Sequence, residues 1–150
     1  MIGSSVMHQW PRGLTPPGRC VNIGVNGLTA LELGRAAVGR CLTPLDTVVF
    51  YCGSNDLFWG YPSSVIHKRI CSLLDTYPCP IRFVAIMYSP YMSNFVDRRA
   101  LDALNVELES YLGARRDGST MVRFSPRRYK RDGLHLPREE YRALADLVFG

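Results

Sequence analysis

The sequence predicts an α/β domain in which a mostly parallel sheet lies between helix layers. Three observations carry that prediction. Residues 46–52 are a continuous apolar, β-branched run, as expected of a strand covered on both faces, and residues 81–87, apolar but for Arg82, read as a second buried strand. Helix-spaced apolar stripes alternate with the strand candidates along the chain. Gly-rich turns follow the strand candidates, and open parallel sheets gather functional loops at the carboxyl ends of their strands.

The elements follow in order. Met1 and Ile2 form an apolar stub ahead of the turn Gly3-Ser4-Ser5. Such a turn before a helix normally follows a buried strand of about five residues. The stub therefore reads as a shortened strand, and more residues are expected upstream of Met1. Residues 6–19, rich in Pro and Gly, read as a connection with a short helical turn after Ser5. Residues 20–23 are a short strand candidate that ends at a Gly-rich turn. Thr29 reads as the N-cap of a helix over 30–40, with Leu31, Leu33, Ala37 and Val38 on its apolar positions.

The run 46–52 ends at Gly53, and a loop is expected after it. Pro62 suits the first turn of the next helix, whose stripe is Val65, Ile66, Ile70, Leu73 and Leu74. Residues 81–87 form the next buried strand, and 88–94 a loop. The longest helix is expected over 95–112, with Leu101, Leu104, Asn105, Leu108 and Leu112 on one face. Residues 121–124 make a short strand. A basic loop follows, and Pro137 opens the last helix, with Glu139 and Glu140 in the first turn where the dipole favours acids.

At 150 residues the chain fits a single domain spanning 1–150 with one buried core. Hydrophobic residues are 47% and charged residues 21%, which fits a globular chain, and no apolar run reaches the roughly 18 residues that would span a bilayer. The five cysteines are irregularly spaced without a C-x-x-C pair, which argues against a disulfide framework or a zinc site and favours a reducing, cytoplasmic compartment. The net charge of +5 owes much to Arg127-Arg128-Tyr129-Lys130-Arg131. This run reads as a solvated loop, and without a nucleic-acid-binding signature no nucleic-acid partner is expected.

Four stretches carry candidate chemistry: Gly3-Ser4-Ser5, the run from Asn22 to Thr29, Gly53-Ser54-Asn55-Asp56, and Asp132-Gly133-Leu134-His135. Each falls after a strand candidate, so all could converge on one end of the sheet. Each alone is a common turn. In this order and at these distances they resemble the four blocks of the SGNH hydrolases, the GDSL-type esterase/lipase superfamily. Ser4 stands where an Asp is more usual.

The resemblance implies a flavodoxin-like three-layer α/β/α fold with strand order 2-1-3-4-5, the shortened first strand lying inside the sheet. It implies Ser5 as nucleophile, His135 as general base and Asp132 as the group that orients the imidazole. The oxyanion hole would use the N–H of Ser5, the N–H of Gly27 and the side-chain amide of Asn55. No metal or organic cofactor is implied, and the partner is a small-molecule ester: an acyl or acetyl ester of a lipid, sugar or small molecule.

Elementary chemistry agrees with those roles. A serine hydroxyl attacks only when a base takes its proton, a carboxylate favours the imidazolium that results, and an oxyanion needs donors fixed in advance. The alternative is a non-catalytic domain that binds an acylated glycan, a lipid or a protein partner through the same cleft. His8 is placed beside the nucleophile turn and His67 within a helix. Trp10, Phe58, Trp59, Tyr88 and Tyr91 lie near the loops, either as packing or as a wall facing acyl or sugar groups.

Overall fold

A computed structural model describes residues 1–16, 20–37 and 42–150. Four parallel strands form one sheet in the order β1-β2-β3-β4: β1 (Ile2–Gly3), β2 (Val48–Tyr51), β3 (Ile81–Val84) and β4 (Thr120–Val122). The stub is a true strand, since Ile2 pairs with Phe50 and Gly3 with Tyr51. Alternation along β2 sorts the side chains into two cores. Val48 and Phe50 face Ile66, Ile70 and Leu104 in one cluster, whereas Val49 and Tyr51 face Met7, Trp10 and Tyr141 in the other. The first cluster is covered by α2 (Ala30–Ala37), α4 (Ser63–Leu74) and α5 (Arg98–Ala114), the second by α1 (Ser5–His8) and α6 (Arg138–Phe149). Together they make the three layers expected.

Several local expectations are corrected. Residues 20–23 form no regular strand. The segment nevertheless runs beside β1, because the N–H of Ile23 donates to Met1 O and that of Val25 to Gly3 O, both at 2.9 Å. It occupies the place of the anticipated second strand, so the described sheet has four strands where five were expected. β3 stops at Val84. Beyond it, the buried Asn105 side chain clamps Ile86, accepting from its N–H at 2.8 Å and donating to its carbonyl at 2.9 Å. A backbone that leaves the ladder while buried needs such a partner.

The expected loop after Gly53 is the short helix α3 (Ser54–Phe58). α5 starts at Arg98, not at 95, because the Asp97 carboxylate caps it by accepting from the N–H of Arg99 at 3.0 Å. Its predicted stripe is buried throughout. β4 begins at Thr120 and ends at Val122, one residue earlier at its start and two at its end than anticipated.

Thr29 and Glu32 cap α2 reciprocally: the Glu32 carboxylate accepts from the Thr29 N–H at 2.8 Å and the Thr29 hydroxyl at 2.7 Å, and the Glu32 N–H donates to Thr29 Oγ1 at 3.4 Å. Leu33 is buried as expected, but Leu31 points outward. The end of the predicted helix, Val38 to Arg40, and Cys41 lie outside the described residues. The four described cysteines are free, and burial of Cys52 and Cys79 pushes both thiols up. No helix among the described residues is long and apolar enough to cross a membrane.

Candidate active site

The carboxyl ends of β1 and β2 lie side by side, joined where the N–H of Ser4 donates to Tyr51 O at 3.1 Å. The chain leaves β1 directly into α1, with Ser4 as its N-cap residue and Ser5 at its first position, half-buried. Ser4 itself is buried, and its hydroxyl has no hydrogen-bond partner among the described residues.

The second loop is laced to this turn. Asn22 Nδ2 donates to Met7 O at 2.6 Å, its Oδ1 accepts from the Gly24 N–H at 2.9 Å, and His8 Nδ1 lies 3.0 Å from Gly24 O. Gly24 sits so close to α1 that a Cβ there would fall 2.3 Å from His8 N and 2.5 Å from the Met7 carbonyl carbon. Those are backbone atoms and cannot turn away. Gly24→Ala is therefore expected to cost roughly 1–3 kcal/mol by forcing the loop off the turn that carries Ser5. A thermal midpoint equal to wild type would contradict this packing. Gly27, at the loop's tip, has φ +79° and open space where a side chain would project, so its N–H stays approachable.

The third loop reaches the second through two adjacent side chains on α3. Asn55 Nδ2 donates to Leu28 O at 2.9 Å, which uses one amide proton and leaves the other. Asp56, fully buried, accepts from the N–H of Ala30 at 2.8 Å, and Arg69 approaches its other oxygen at 3.5 Å. Burial raises the Asp56 pKa, against the Ala30 N–H and Arg69, which lower it. Asp56 thus stabilises its loop by pinning the start of α2 beside Asn55.

The fourth loop carries the pair Asp132 and His135. Asp132 Oδ2 lies 2.8 Å from His135 Nδ1, and its Oδ1 accepts from the N–H groups of Leu134 and His135, each at 2.9 Å. The His135 N–H, the imidazole and the Leu134 N–H together hold the Asp132 carboxyl down at about 2. The carboxylate is not buried: its side chain is 47% exposed, so donors rather than enclosure fix it. With a folded value below the ordinary 3.8, its charge-dependent stabilisation is complete above that value and is lost as pH falls towards about 2. The difference in thermal midpoint between wild type and Asp132→Asn should accordingly close over that interval; a constant difference would refute the assignment.

This loop is tied back to the first. Lys130 Nζ donates to Gln9 Oε1 at 3.0 Å, the Lys130 N–H donates to His135 O at 2.8 Å, and Tyr141 on α6 donates to Val6 O at 3.0 Å. The basic run is exposed at Arg127 and Arg128 but anchored by its backbone, because the Glu140 carboxylate accepts both of their N–H groups at 3.1 Å. Its Tyr129 hydroxyl donates to Tyr88 O at 3.2 Å, and burial pushes that phenol up to about 12.

The four sequence stretches are thus tied together at one end of the sheet. Among the described residues no hydrogen bond joins Ser5 to His135. Of the other candidates, Trp10 is core, packed edge-on against Tyr141 and Phe149, and His67 is half-buried on α4. The sequence reading missed Glu140 as an anchor and Phe95 as a surface residue beside the site. An acid in a first helical turn is the signal that could have pointed to Glu140. Among the described residues no cluster of side chains is suited to hold a metal ion.

No family model and no curated protein matches the chain. Solved structures do. A GDSL-like lipase from Bacteroides thetaiotaomicron superposes with a TM-score of 0.78 at 18% identity, over 97% of this chain and 82% of that one. A member of the lipolytic protein G-D-S-L family from Veillonella parvula gives 0.74 at 16% identity, over 97% and 92%. An acetylxylan esterase from Geobacillus stearothermophilus gives 0.64 at 18% identity, over 85% and 69%. The chain therefore has the fold shared by the G-D-S-L lipolytic proteins and related esterases.

Proposed function

We propose that the chain is a serine esterase that hydrolyses a carboxylic ester through an acyl-enzyme. The observation that carries this reading is the Asp132–His135 hydrogen bond, in a loop tied through Lys130 to the segment that follows Ser5. Bonding at Nδ1 leaves the imidazole Nε2 for the serine. Ser5 Oγ attacks the carbonyl carbon as its proton passes to His135, and the tetrahedral oxyanion takes the N–H of Ser5, the N–H of Gly27 and the free amide proton of Asn55. Collapse expels the alkoxide, which receives the proton from His135. Water, activated by the same imidazole, then attacks the acyl-enzyme and releases the acid.

The reading asks Ser5 and His135 to close up when substrate binds, as catalytic hydrogen bonds often do. A short p-nitrophenyl ester tests it: turnover present in the wild type and absent in Ser5→Ala and His135→Ala. Binding of the ester without turnover in the wild type would instead favour a non-catalytic binding domain.

A further inference from the structure

Beside the candidate site four aromatic rings stand on the surface in one connected cluster. Phe58 stacks on Tyr91 with centroids 5.9 Å apart and meets Trp59 and Phe95 edge-on at 5.9 and 5.5 Å, while Tyr91 and Phe95 are 5.7 Å apart. Trp59 is 68% exposed and Phe95 60%, against 5% for Trp10 in the core. Large apolar residues exposed singly need no explanation, but a contiguous patch marks a contact surface.

The patch borders the proposed site on two sides. Phe58 lies one helical turn after Asn55 on α3. The Tyr91 N–H donates to Gly133 O, within the turn that holds Asp132 and His135, at 3.1 Å.

We propose that this cluster docks on a lipid–water interface and brings the site to esters held in a membrane or micelle. The ester part of the proposal rests on the esterase reading; the docking does not. Phe58 and Phe95 have no hydrogen-bonding group, and the Trp59 indole N–H and Tyr91 hydroxyl are the only polar atoms of the four rings. Apolar bodies with a few polar tips suit the boundary between acyl chains and headgroups. Charge does not dominate the patch: Arg98 is paired with Asp102 at 3.7 Å and lies over the Tyr88 ring at 5.5 Å, and Asp97 caps α5. The attraction is therefore apolar insertion, indifferent to headgroup charge, and not adsorption to an anionic surface.

The chain has two tryptophans, one buried and one exposed, so its fluorescence reports the patch. The Ser5→Ala protein is mixed with phosphatidylcholine vesicles, with and without anionic lipid, at low salt and at about 0.5 M salt, where charges are screened within a few ångströms. The expected result is a blue shift of Trp59 and co-sedimentation in every condition. Phe95→Ser should weaken co-sedimentation several-fold, with turnover of a short soluble ester unchanged, and Trp59→Ser should weaken co-sedimentation likewise. No shift and no co-sedimentation with any vesicle overturns the proposal. So does binding confined to anionic vesicles and abolished by salt, or a shift given by a xylo-oligosaccharide and not by vesicles. A concentration-dependent dimer lost in Phe95→Ser, without vesicle binding, would assign the patch to a second copy of the chain. Because docking is measured on an inactive variant, vesicle binding alongside a wild type without ester turnover would sink the esterase reading and leave the docking intact.

Discussion

Ser5→Ala should reduce kcat on a short p-nitrophenyl ester by roughly 10⁴–10⁶, with His135→Ala and the double variant losing about as much. The three figures should be alike because nucleophile and base act on one proton: once either is gone, removing the other costs little more. Folding should be spared in Ser5→Ala, since the contact by which Ser5 supports α1 is backbone, its carbonyl accepting from the Gln9 N–H at 2.9 Å. An unchanged thermal midpoint with abolished turnover is the expected pair of results. Losses that multiply in the double variant would mean that Ser5 and His135 act independently, and the mechanism proposed for them would fail.

Asn55→Ala should lower kcat by about 10²–10³ while KM moves little, the cost of losing one preorganised oxyanion donor. Its amide has two duties. One proton fixes the second loop through Leu28 O, and the other is the one that the proposed mechanism assigns to the oxyanion. Losing the first duty costs about 1 kcal/mol of stability, so the midpoint should fall modestly as well. A loss confined to KM would place Asn55 in ground-state binding. A fall in stability without a fall in kcat would leave it a loop fastener only.

Much of this architecture was legible from local pattern. The runs over β2 and β3 read as buried strands, and the α5 stripe from Leu101 to Leu112 marked its core face. Patterns of period 2 and 3.6 depend on neighbours a few residues away, so the chain alone specifies them. The residue types of the four loops, and their order, were equally plain. α3 was not: five residues of Ser-Asn-Asp-Leu-Phe do not nucleate a helix by themselves, and Asn55 and Asp56 are anchored by carbonyl and amide groups more than 25 positions away, with separations of 27 and 26. The segment 20–23 had strand composition, yet it makes only isolated bonds to β1.

What the sequence by itself determined is the α/β class, the buried strands and the chemical groups available at the site. Only the tertiary structure decided how those groups meet. Lys130 reaches Gln9 across 121 positions and Tyr141 reaches Val6 across 135. Exposure was likewise decided in three dimensions: Trp10 went to the core, Trp59 and Phe95 to the surface, and Asp132 was fixed by donors while open to water. The physical reason is the same in each case. Periodicity is set by the backbone, whereas proximity and burial are set by which faces of distant elements pack together.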